Sequence, residues 1–154
     1  MENMINEGQQ APDFTANDQD GNKISLSQFA GKKVVLYFYP KDSTPGCTTE
    51  ACDFRDNYQS LVAQGIVVLG VSADDEASHQ KFIAKHNLPF PLIADTDKKI
   101  VEAYGVWVEK NMYGKKYMGI ARKTFLINEA GTLTHIIDKV DTKNATAQVL
   151  ALLK

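Results

Sequence analysis

Residues 40–52 read PKDSTPGCTTEAC, and the residue types that could do chemistry crowd into this stretch. It holds both cysteines of the chain, Cys47 and Cys52, together with the Thr44 hydroxyl, the Glu50 carboxyl and two prolines, Pro40 and Pro45. Pro45 suits the first position of a helix, because its missing N–H would be unsatisfied there in any case. Thr44 is then the expected N-cap. Cys47 falls in the first helical turn, where free backbone N–H groups and the positive end of the helix dipole favour a thiolate. Gly46 permits a close approach by backbone or ligand. A free thiol is only a few per cent ionised at neutral pH, and a helix terminus contributes at most ~2 kcal/mol toward ionising it. A cation is therefore expected nearby, and Arg122 is the candidate, since RKTFLI reads as a buried strand with a charge at its start.

Other readings compete with this one. Free cysteines often belong to the core, but Pro40, Thr44 and the helix start set Cys47 apart from that case. The CxxxxC spacing also differs from the CxxC of thiol-disulfide exchange enzymes of thioredoxin type. A zinc site would need the two cysteines plus two of His79, His86 and His135. His79 and His86 lie seven apart on one expected helix face and His135 sits in a distant strand, so ligand spacing is missing and the histidines are expected at the surface. Asp95 and Asp97 read as an N-cap and a first-turn acid, and Arg55 with Asp56 as a surface pair. Neither a metal nor a cofactor is expected.

The elements that must position these groups follow from periodicity. Residues 11–30 carry a turn signal at Asp20-Gly21-Asn22 between short apolar stretches, which suggests a small hairpin leading into a helical turn. Residues 34–39 (VVLYFY) form a β-branched and aromatic run that fits a strand buried on both faces and ends at Pro40. Ala51, Phe54, Tyr58, Leu61 and Val62 recur at helical steps, and Gly65 would close that helix. Residues 66–71 (IVVLGV) give a second buried strand, followed by a helix from the Asp74-Asp75-Glu76 cluster to just before Leu88-Pro89. Further on come a short strand at 90–94, a short helix at 97–104, a hairpin of residues 122–127 and 133–137, and a helix at 145–153. Residues 108–119 carry no readable element and suggest a covering loop. Strands alternating with helices and ending in an antiparallel hairpin imply a mixed central sheet covered on both faces.

Composition narrows the function class. The 154 residues are 44% hydrophobic and 23% charged, which suits one globular domain over residues 1–154 and excludes a low-complexity or fibrous chain. Seventeen Lys and Arg against nineteen Asp and Glu leave a charge of -2, so no electrostatic footprint for nucleic acid is present. No apolar run is long enough to span a membrane. The opening MENMINEGQQAPDF lacks a basic segment followed by an apolar one, so no export leader is expected. Two cysteines are too few for a disulfide scaffold, which places the thiols in a reducing, cytoplasmic compartment.

The string P-x-x-x-T-x-x-C formed by Pro40, Thr44 and Cys47 resembles the active-site signature of the peroxiredoxins. The second cysteine five residues on is similar to their bacterioferritin comigratory protein, or peroxiredoxin Q, branch. The resemblance runs from APDF near residue 11 through YFYPKDSTPGCTTEACDFRD, GVSADD, GVW and GIARKTFLI to the chain end. It implies a thioredoxin-like α/β fold with a mixed sheet, helices on both faces and an N-terminal hairpin extension. Cys47 then matches the peroxidatic cysteine and Cys52 the resolving one. Thr44 and Arg122 would bind and polarise the hydroperoxide, joined by the Gly46 backbone, with Pro40 shielding the sulfur and Glu50 orienting Arg122. Donors aimed at the oxygen that gains negative charge would stabilise the transition state more than the ground state. The resemblance further implies a sulfenic acid on Cys47, a Cys47-Cys52 disulfide and reduction by thioredoxin. A monomer is expected. A thioredoxin-type oxidoreductase and a non-catalytic thiol-containing binding module are the alternatives.

One consequence of that pairing is mechanical. Five helical residues separate Cα atoms by about 8.7 Å and ~140° around the axis, whereas a disulfide needs Cα atoms within ~7 Å. If both cysteines lie on one helix, the bond requires local unwinding.

Overall fold

The computed structural model describes residues 5–153; the first four residues and Lys154, which the expected 1–154 domain includes, lie outside the described residues. A small antiparallel hairpin comes first, β1 (Thr15–Asn17) and β2 (Lys23–Ser25), followed by a 3-10 turn at Leu26–Phe29, as expected. The central sheet is built on β3 (Lys33–Phe38). Beside it run β4 (Ile66–Ser72) and β5 (Leu92–Ala94), parallel, and on its other side β8 (Lys123–Ile127) and β9 (Leu133–Ile137), antiparallel, in the order β5-β4-β3-β8-β9. This is the mixed sheet that the alternation of elements implied.

Period-two alternation divides the core in two. Val34, Leu36 and Phe38 of β3 enter one apolar cluster with Phe14, Tyr104 and Phe125. Val35, Tyr37 and Tyr39 enter the other with Cys47, Phe54, Phe82 and Phe90. Each face of a strand in the middle of a sheet needs its own cover. The second cluster is covered by α1 (Pro45–Asp56), α2 (Tyr58–Ala63), α3 (Glu76–His86) and α5 (Ala145–Leu152). The first is covered by the N-terminal hairpin and α4 (Lys99–Ala103). No helix among the described residues is long and apolar enough to cross a membrane.

Several expectations are corrected. The single helical stripe to Gly65 is two helices, broken at Asn57 (φ -111°, ψ 11°), and Val62 is half exposed. The Asn57 side-chain amide donates to the Asp53 carbonyl at 2.8 Å, taking an acceptor that the helical ladder would use. Residues 108–119 are not a loop: β6 (Trp107–Met112) pairs with β7 (Lys115–Ile120) in an antiparallel hairpin. Its two-residue turn places Tyr113 (φ 53°) and Gly114 (φ 82°) in the left-handed region, the geometry that matches strand twist. His79, expected at the surface, is fully buried. The N-cap of α4 is Lys98, while the Asp95 carboxylate accepts from the Ile100 and Val101 N–H groups at 3.2 and 2.8 Å. Arg55 and Asp56 do pair at the surface, at 3.0 Å.

Candidate active site

The site lies where β3 ends. Pro40, half-buried, opens the loop, and Ser43 takes a left-handed conformation (φ 64°) before the chain returns to extended geometry at Thr44 (φ -81°, ψ 154°). Thr44 is the N-cap by its backbone, whose carbonyl accepts the Thr48 N–H at 2.9 Å. Its side chain does not cap. The hydroxyl donates to the Lys41 carbonyl at 2.8 Å, since a carbonyl can only accept. Pro45 occupies the first helical turn, so Cys47 sits at the start of α1 as expected, 1% exposed.

Arg122 reaches it from the start of the neighbouring strand β8. The antiparallel register pairs Phe38 with Lys123, which brings the residue before β8 to the carboxyl end of β3. Its guanidinium forks: Nη2 donates to Cys47 Sγ at 3.3 Å and Nη1 to Glu50 Oε1 at 2.7 Å. The approach explains Gly46. A Cβ there would lie 3.1 Å from Arg122 Nη2, so a side chain would press on the guanidinium. Burial disfavours the charged guanidinium, yet the charge and hydrogen bond of Cys47, then those of Glu50, raise its proton affinity above the ordinary value.

Glu50 lies one turn after Cys47 and is fully buried. Burial pushes its carboxyl up to about 7, against the lowering effect of Arg122. Its Oε2 and the Tyr37 hydroxyl are the buried side-chain oxygens without a hydrogen-bond partner among the described residues. Burial, then the negative charges of Glu50, Cys47 and Asp42, hold the Tyr37 phenol well above its ordinary range.

Cys52 follows on the same helix but faces elsewhere. It is half-buried and lines a shallow surface cavity with Thr48, Thr49, Asp53, Asp56 and Lys143, whereas Cys47 belongs to the core. Both thiols are free. Among the described residues one group has metal-ligand spacing, Asp42, Asp74 and His79, and it contains no cysteine. Its ligand atoms already serve hydrogen bonds: Tyr39, Ser78 and His79 on Asp42, and the Asp42 N–H and Ser72 hydroxyl on Asp74. The set therefore fits an internal polar network better than a cation.

Residues 7–136 match the model of the AhpC/TSA family. The chain belongs to that family. It is 50% identical over 147 residues to peroxiredoxin Bcp of Bacillus subtilis, covering 96% of this chain and 94% of that one. With peroxiredoxin Bcp of Escherichia coli it shares 43% over 152 residues, covering 99% and 97%. A structure of Xanthomonas campestris peroxiredoxin Q superposes with a TM-score of 0.85 at 42% identity, covering 91% of this chain and 89% of that one. This peroxiredoxin, of the Bcp or peroxiredoxin Q type, is a thiol-dependent peroxidase with a thioredoxin-like fold. Its two cysteines fit the atypical two-cysteine type.

Arg122, 75 positions from Cys47, and Glu50 meet the sulfur's neighbourhood directly, and Pro40, Thr44 and Gly46 lie in the loop and first turn beside it. Sequence reasoning missed the anchoring of this loop by Asp42 and His79. The Asp in PKDST and the seven-residue step from His79 to His86 gave no signal that two distant polar residues share one buried site.

Proposed function

We propose that Cys47 attacks the hydroperoxide, Cys52 resolves the product and an external dithiol, thioredoxin, restores both thiols. The thiolate attacks the terminal oxygen of ROOH, the O–O bond breaks, Cys47 becomes a sulfenic acid and the departing alkoxide takes a proton from water. The Cys52 thiol then attacks the sulfenic sulfur, releasing water and forming a disulfide. The observation that carries this reading is the Arg122 fork, one arm on Sγ at 3.3 Å and the other held by Glu50 at 2.7 Å. A guanidinium fixed in that position meets the negative charge that develops on the leaving oxygen. Thr44, its proton committed to Lys41, would use its lone pairs to accept the O–H of the hydroperoxide. Pro40 would limit water at the sulfur.

Hydrogen peroxide and organic hydroperoxides are the proposed substrates. Supporting the organic class, a Xanthomonas campestris relative of 41% identity and TM-score 0.85 has been solved in work on its alkyl peroxide reduction. We place the chain in the cytoplasm as a monomeric, single-domain antioxidant enzyme without a cofactor. The test is peroxide consumption with thioredoxin, its reductase and NADPH. Wild type is expected to turn over and Cys47→Ser to be inactive; a wild type reduced by another dithiol but not by thioredoxin would overturn the choice of reductant.

A further inference from the structure

A second buried polar cluster stands behind the active-site loop, and the peroxide chemistry above makes no use of it. Asp42, 5% exposed, sits between Pro40 and Thr44. Its Oδ1 accepts the Tyr39 hydroxyl at 2.6 Å, and its Oδ2 accepts Ser78 Oγ at 2.8 Å and His79 Nδ1 at 2.7 Å. Its N–H donates to Asp74 Oδ2 at 2.8 Å, an oxygen that also accepts the Ser72 hydroxyl at 2.7 Å. One loop residue is thus tied to the end of β3, to the end of β4 and to α3.

The protonation of His79 follows from its partners. Nδ1 meets a carboxylate, and Nε2 meets the Ile93 carbonyl of β5 at 2.9 Å. The Ile93 carbonyl can only accept, so Nε2 carries hydrogen, and with Asp42 ionised Nδ1 carries one as well, which makes the ring an imidazolium. The charged groups facing it are Asp42 from the loop and Asp74 from the turn after β4. The titratable Tyr39 ring lies 6.5 Å away and stays neutral, because burial holds its phenol well above the ordinary range. Burial disfavours the imidazolium, but the Asp42 hydrogen bond and charge, the Ile93 carbonyl and Asp74 together raise His79 above its ordinary value.

We propose that the His79 imidazolium and the Asp42 carboxylate form the latch that positions residues 40–44 over Cys47, making His79 a positioning residue for the peroxide step. The strained conformation of Ser43 persists only where its neighbours over-determine it. Asp42 is the neighbour with anchoring bonds to distant elements, and Thr44, hydrogen-bonded back to Lys41, spans the strained residue. When the ring loses a proton, one buried acceptor faces a lone pair, the anchor weakens and Thr44 drifts. A displacement of about 1 Å in a positioning group can cost up to ~100-fold in rate. Because the folded value is raised, the contribution of the latch is complete below the ordinary histidine value and is lost as pH rises through the folded one. The same anchor would stop the unwinding of α1 from spreading back past residue 42.

This inference rests on Cys47 being the attacking sulfur, and the test separates the two. In reduced wild type at neutral pH, imidazole nitrogen shifts of His79 are expected to be those of a doubly protonated ring. Stopped-flow oxidation of Cys47 is expected to decline at alkaline pH with the midpoint at which that ring titrates. His79→Gln is expected to lose that alkaline decline and to react about tenfold or more slowly at neutral pH, with disulfide formation from the sulfenic acid not slowed. Ser78→Ala, which keeps the ion pair, is expected to keep the wild-type pH profile. A neutral ring at neutral pH, or a folded His79→Gln with the wild-type rate, overturns the latch while Cys47 still forms its sulfenic acid. A wild type that never oxidises at Cys47 overturns the function and the latch together.

Discussion

At the scale of residues, one guanidinium serves two partners, the Cys47 sulfur and the Glu50 carboxyl. Arg122→Ala removes the donor to Cys47 and leaves Glu50 buried without its cation, so the peroxide step is expected to slow by about 100-fold or more in stopped-flow. Arg122→Lys is expected to recover only part of this, because a single ammonium cannot reproduce the planar fork. Glu50 makes a separate prediction about stability. Its carboxyl stands at about 7 in the fold against an ordinary value of 4.5. The folded state therefore holds more protons than the unfolded state between those values, and stability falls as pH rises across that window. The full effect is on the order of 3 kcal/mol. Denaturant midpoints measured from pH ~4.5 to ~8 are expected to show the decline in wild type and a flatter profile in Glu50→Gln; equal slopes would contradict the burial argument.

Among elements, α1 carries both thiols and cannot bring them together while intact. Helix geometry sets their Cα atoms about 8.7 Å apart, and the structure turns Cys47 to the core and Cys52 to a surface cavity. Formation of the disulfide is expected to lower amide-exchange protection over residues 44–54 while β3 stays protected on both faces. Unchanged protection in a verified Cys47-Cys52 disulfide would remove the need for unwinding. The start of this helix was legible in the sequence because Thr44, Pro45 and Gly46 state it in local chemistry. Its end was not, since the break at Asn57 rests on one side-chain hydrogen bond that competes with the ladder. The β6 and β7 hairpin was hidden for another reason. Much of it is exposed, so no apolar alternation marks its strands, and its turn is Tyr-Gly, without the Asn or Asp that flags such turns.

For the whole molecule, the sheet is what converts distant sequence into one site. The β3 and β8 register carries Arg122 to the end of β3, and the sequence disclosed this because a charge opening an apolar strand has few places to go. The His79 and Asp42 pair stayed hidden, since neither residue has a periodic pattern and only the packing of α3 against the loop brings them within 2.7 Å. Loop, helix and strand together make one claim, that Cys47 is oxidised first and Cys52 second. The most direct measurement is mass spectrometry after one equivalent of hydroperoxide, with sulfenic acid trapping. Wild type is expected to yield the intramolecular Cys47-Cys52 disulfide, Cys52→Ser a trapped sulfenic acid on Cys47, and Cys47→Ser no fast oxidation. A sulfenic acid trapped first on Cys52, or a Cys47→Ser chain that reacts at the wild-type rate, would contradict the account.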